Sequence, residues 1–143
     1  MTKANRTRLP TNGFTMVELL IAVLVLSIGL LGLAGLQAAG LRNNQSAYLR
    51  SQATILGYDI ADRMRANRAV AATGAYDIAL GGGSAGGSVS ADDLMEWKDG
   101  LETLLPSGDG SVTSNGSTIT ILVQWDDNRD GINLQQFTVE FQL

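Results

Sequence analysis

From Leu19 to Leu41 no side chain is charged, and only Ser27 and Gln37 are polar. Twenty-three residues at helical rise cover about 35 Å, enough to cross the roughly 30 Å hydrocarbon core of a bilayer. Buried helices of soluble proteins rarely run so long without a charge. Beyond Leu41 the pattern changes face rather than stopping. Leu49, Ala53, Leu56, Ile60 and Met64 recur at helical spacing as one apolar stripe, which Tyr48 and Ile55 widen. Asp59 with Arg63, and Asp62 with Arg65, are placed to pair on the wetter face. Nothing breaks the helix between the two halves. The pattern therefore predicts one helix from about Thr15 to Asn67, roughly 80 Å long, hydrophobic over 14–41 and amphipathic over 42–68. Gly29, Gly32, Gly35 and Gly40 interrupt the apolar half. They fit either close helix packing through small residues or local weakening of the helix.

The periodicity then lapses. Residues 69–90 read as an irregular, flexible connection ending in the run Gly81-Gly82-Gly83-Ser84-Ala85-Gly86-Gly87-Ser88. A second helix is expected over 91–105, with Ser90 as its cap, Asp92 and Asp93 in its first turn and Pro106 after its end. Its apolar face is Leu94, Trp97, Leu101, Leu104 and Leu105. Asp92 and Asp93 are adjacent and so point in different directions. They read as helix-dipole partners rather than as paired catalytic carboxylates.

Period-two alternation follows. Ile119, Ile121, Val123 and Trp125 share one face of a strand at about 117–125, and Phe137, Val139, Phe141 and Leu143 one face of a strand at about 133–142. Two strands alone are marginal, which calls for another near Val112 or within 75–80. The remainder of the head, 91–143, is thus a small antiparallel sheet with a second short helix. The class is α+β, with a long N-terminal helix packed on that head.

Composition narrows the chemistry. The chain has neither cysteine nor histidine, which removes disulfides, thiolate nucleophiles, Cys/His zinc sites and the commonest general base near neutral pH. No catalytic residue and no cofactor is expected. The formal charge is −4, yet Lys3, Arg6 and Arg8 all precede Phe14 and no acid precedes Glu18. Without residues 1–13 the side-chain charge is −7, seven basic groups against fourteen acidic. Such an acidic body does not suit nucleic acid; the cluster Arg63, Arg65 and Arg68 reads as a solvated helix end, where cations favour the dipole.

The basic leader orients the apolar span with its N-terminus in the cytoplasm. A cleaved secretory signal would be shorter, with a better small-residue cleavage site than Gln37-Ala38-Ala39. A plain single-pass anchor leaves Glu18 unexplained, because a carboxylate at the mouth of an apolar span is costly and marks function. The stretch Gly13-Phe14-Thr15-Met16-Val17-Glu18 resembles the prepilin motif of type IV pilins and type II secretion pseudopilins. The resemblance implies a pilin-like lollipop fold and cleavage of leader 1–13 by a prepilin peptidase between Gly13 and Phe14. It further implies N-methylation of Phe14 and an assembly role for Glu18, opposite the freed amine of a neighbouring subunit.

Three further runs, Ile28 to Gln37, Asn43 to Tyr48 and Asp62 to Asn67, resemble the minor type IV pilins. That likeness implies a subunit that starts in the inner membrane, head in the periplasm, and ends in a surface pilus. Its implied partners are other minor and major pilins and a tip adhesin; its implied role is to prime assembly and join a tip complex. A secretion pseudopilin and a tethered periplasmic binding module that never polymerises are the alternatives.

One loop carries a metal signature. Asp126-x-Asn128-x-Asp130-Gly131 opens like an EF-hand, but Phe137 stands at the twelfth position, where a bidentate glutamate is needed. Turn chemistry is the expected use of these residues, with calcium on Asp126, Asn128 and Asp130 the lesser reading.

Overall fold

The computed structural model describes residues 13–143; the rest of the leader, with Lys3, Arg6 and Arg8, lies outside the described residues. The apolar run and the stripe after it form one element, α1, Met16–Ala66, of 51 residues. The chain divides into two units, Met1–Arg42 and Asn43–Leu143. The described part of the first is the apolar portion of α1 with the three residues before it.

The second unit contains the remainder of α1, a single turn α2 (Arg68–Ala71), the helix α3 (Val89–Leu104), and strands β1 (Asp109–Asn115), β2 (Thr118–Asp126) and β3 (Leu134–Gln142). The strands form one antiparallel sheet in the order β1-β2-β3. With α1 this makes an α+β protein. β1 is the additional strand and contains Val112, while Ile78 forms a single antiparallel bridge to Val112.

Register places one row of side chains across the inner face of the sheet. Val112 pairs with Ile121 and Ile121 with Val139; Gly110 pairs with Val123 and Val123 with Phe137. Ile119, Ile121, Val123 and Trp125 are buried against Ile60, Met64, Trp97 and Leu101 in one core. Full burial of one such side chain stabilises by about 1.5–3 kcal/mol.

On α1 the buried positions of this unit are Leu49, Ala53, Gly57, Ile60, Ala61 and Met64. Ala53, Gly57 and Ala61 follow one another at four-residue spacing and make a low ridge. At Gly57 an added Cβ would lie 3.1 Å from a ring carbon of Phe137, so the small residue lets β3 approach. The stripe therefore widens toward Gly57 and Ala61. Tyr48 and Ile55, expected to widen it, are 58% and 57% exposed.

The connection 69–90 departs from the expected irregular, flexible stretch. Ala71 and Tyr76 within it are fully buried. The glycine run, though largely exposed, is tied down. Gly81 donates its amide to Asp109 Oδ2 (2.6 Å), Gly87 to Asp92 Oδ1 (3.1 Å), and the Ser84 hydroxyl to the Ala91 carbonyl (2.8 Å). Composition registered the lack of side chains here and missed the backbone donors that glycine leaves accessible.

Ser88, not Ser90, caps α3, accepting from the Ala91 amide; Ser90 is buried inside the helix. The helix spans 89–104 rather than 91–105. Its final apolar positions divide, since Leu104 is exposed whereas Leu105, in extended backbone just past the end, is buried.

The run Asp62 to Asn67 has a structural explanation. Arg63 bonds Asp59 within α1 (3.1 Å) and reaches α3 at Asp93 (3.1 Å) and Glu96 (2.8 Å), so it is a helix-to-helix tie rather than a solvated end. Met64 is buried in the core. Arg65 pairs with Asp62 (2.6 Å) and its guanidinium carbon lies 4.5 Å from the centroid of the Phe141 ring. Asn67 donates to the Tyr76 hydroxyl (3.1 Å), which donates to Asp93 Oδ2 (2.6 Å). Burial first, then donation to Asp93, pushes the Tyr76 phenol above its ordinary 10.0, so it keeps its proton and its role as donor.

Candidate processing and assembly site

The start of α1 is built by local capping. Thr15 Oγ1 accepts the Glu18 amide (3.2 Å), and the Thr15 carbonyl accepts the first helical bond from Leu19 (3.2 Å). Thr15 is thus the cap of α1, and Thr15-x-x-Glu18 is the sequence signature of a capping box, which the reading of the motif overlooked. Glu18, in the first turn, also complements the positive end of the helix dipole.

Gly13 and Phe14 precede the cap in non-helical backbone, and Phe14 is 88% exposed. The Gly13–Phe14 peptide is therefore accessible, and a break there leaves Thr15 and its hydrogen bonds on the helical side. A Cβ added at Gly13 would meet nothing within 4 Å. No requirement for glycine arises from packing within the described chain at this position.

The same holds along the apolar helix. Leu19, Leu20, Ile21, Val23, Leu24, Val25, Leu26 and Ile28 are all exposed, and no part of the apolar window is buried. Each of Gly29, Gly32, Gly35 and Gly40 would accept a Cβ without meeting an atom within 4 Å. Ser27, the polar exception, turns its hydroxyl back onto the Val23 carbonyl (2.7 Å), which hides a donor inside its own helix. This helix is long and apolar enough to cross a membrane. Among the described residues no cation pairs with Glu18.

The β2–β3 loop uses its acids mainly on its own backbone. Asp130 Oδ1 accepts the amides of Ile132 (2.9 Å) and Asn133 (3.1 Å), and Oδ2 faces the Asn133 side-chain amide (3.3 Å). The Ile132 amide, then that of Asn133, holds the Asp130 carboxyl below its ordinary range. Asp126 Oδ2 accepts the Gly131 amide (2.7 Å), and Asn128 is exposed. Among the described residues no group of three or more His, Cys, Asp or Glu side chains converges on one point.

Comparison with known proteins bears on this N-terminal stretch. Residues 9–34 match the family pattern described as the prokaryotic N-terminal methylation motif. That motif is a type IV pilin-like signal, shared by pilins and pseudopilins; it implies processing by a prepilin peptidase and association with pilins, and its family is structural rather than enzymatic. The apolar helix together with the motif is consistent with membrane anchoring. No curated protein and no solved structure matches the chain.

Proposed function

We propose that this chain is a minor type IV pilin of the PilV kind, a non-enzymatic subunit that helps prime pilus assembly and takes its place in the tip complex. The observation that supports a pilin-like subunit is the pairing of an accessible Gly13–Phe14 peptide with a capped, uncovered apolar helix whose first turn holds Glu18. The finer assignment to the minor pilins rests on the resemblance of Ile28 to Gln37, Asn43 to Tyr48 and Asp62 to Asn67. Cleavage there frees an ammonium at Phe14, which methylation leaves cationic. A carboxylate four residues further along then stands at the start of a segment that lipid or protein must surround. Desolvating either charge alone is costly, and docking a neighbour's Phe14 amine against Glu18 offsets both costs at once. Before assembly the span lies in the inner membrane with its N-terminus cytoplasmic and the head periplasmic; after assembly it lies within the pilus.

Two measurements on protein from its own cells test this. Intact-mass and N-terminal analysis should find a chain beginning at methylated Phe14; a chain still beginning at Met1 leaves a tethered binding module instead. Glu18→Ala should be processed and inserted normally yet fall at least tenfold in sheared filaments, and normal incorporation removes the charge-pairing role. Loss of exoprotein release rather than of twitching on deletion assigns the chain to a secretion pseudopilus, whose subunits share the same processing motif.

A further inference from the structure

A carboxylate removed from water needs partners for both oxygens and a compensating charge. Asp126, at the end of β2, is 2% exposed. Its Oδ2 accepts the amide of Gly131 from across the loop, which fixes the carboxylate facing into the 126–131 turn. Its Oδ1 is buried with no hydrogen-bond partner, and so is Oδ1 of Asp127, the next residue. No ion pair reaches either acid among the described residues, where every salt bridge involves other groups. Asp130, by contrast, has both oxygens engaged by the turn. The acids of this loop with a buried oxygen that meets no donor are thus the adjacent pair, Asp126 and Asp127.

We infer that the β2–β3 loop binds one calcium ion through Asp126 Oδ1, with Asp127 as the second anionic donor. Calcium suits such a place better than magnesium. It accepts irregular sets of six to eight oxygens and loses water readily, so backbone carbonyls and solvent complete the shell, whereas magnesium holds its water and demands an octahedron. Two carboxylates give a weak site, in the range of about 10⁻⁴–10⁻³ M typical of extracellular modules. The buried Trp125 indole N–H, also without a partner, is a donor and contributes nothing to the ion. A trapped water joining these groups is the competing occupant, and calcium titration distinguishes the two.

The test uses the full chain in detergent, stripped with chelator, with thermal unfolding followed by tryptophan fluorescence. Calcium at 5 mM (a probe concentration of about ten times the expected Kd) should raise Tm by about 5 °C, and magnesium at the same concentration should not. Asp126→Asn keeps an acceptor for the Gly131 amide while removing the uncompensated charge. It should abolish the calcium shift with a calcium-free Tm no lower than that of the unaltered chain. Asp127→Asn should weaken terbium luminescence sensitised by tryptophan about tenfold without changing the calcium-free Tm. No calcium shift in the unaltered chain, an equal shift with magnesium, or a shift that survives Asp126→Asn each overturns the site.

Discussion

The glycines of the two units answer to different neighbours. In the apolar half of α1, Gly29, Gly32, Gly35 and Gly40 face open space, and a Cβ added at any of them would meet no neighbouring segment within 4 Å. In the second unit Gly110 sits where an added Cβ would lie 2.5 Å from the Trp97 ring, 2.9 Å from Leu101 and 2.9 Å from the Leu122 carbonyl. The same residue type is demanded by the chain's own packing in one place and by nothing within the described chain in the other. One unit builds an apolar core of its own; in the other the large apolar side chains of the helix are exposed.

Substitutions sharpen this contrast. Gly110→Ala should have the largest effect, destabilising by about 3 kcal/mol, because overpacking a filled core forces shifts in side chains and backbone. Urea denaturation read through Trp97 and Trp125 fluorescence checks it; an unchanged midpoint would mean that the space between α3 and β1 yields easily. Next comes Arg63→Ala, which removes three charged contacts and leaves the partly buried Asp93 with Tyr76 alone. A loss of about 1–2 kcal/mol is expected on the same measurement, at the modest end for charged hydrogen bonds because the Arg63 side chain keeps 31% of its surface in solvent. The smallest stability effect belongs to Gly32→Ala, which should leave the urea midpoint of the second unit within about 0.5 kcal/mol. Its consequence should appear in assembly: an added methyl group at a close helix contact lowers the yield of sheared filaments, and an unaltered yield would remove the packing role.

Periodicity was a good guide wherever a face is buried by neighbours with regular geometry. It placed α1 within one residue at each end, and it picked the inner faces of β2 and β3. It failed at the margins of those faces. Tyr48 and Ile55 carry apolar side chains at helical spacing but project beyond the edge of the sheet's coverage, while Gly57 and Ala61, invisible to a search for large hydrophobes, lie beneath it. It also failed where backbone rather than side chain supplies the interactions, as at Gly81 and Gly87. At the N-terminus the motif was legible because it is local: a family pattern matches over residues 9–34, and the Thr15 cap was encoded in the same stretch.

The amino-acid order alone determined the long helix, its division into an uncharged and an amphipathic half, and the pilin-like motif at its start, since each is written within a short window of sequence. Tertiary structure decided what no local window contains. It joined Arg63 to Asp93 and Glu96 across some thirty residues, buried Tyr76 beneath them, and left Asp126 covered with one oxygen unmet. Burial and charge compensation depend on which distant segments close over a side chain, and that follows from how the sheet and the helices pack together rather than from the sequence around any one residue.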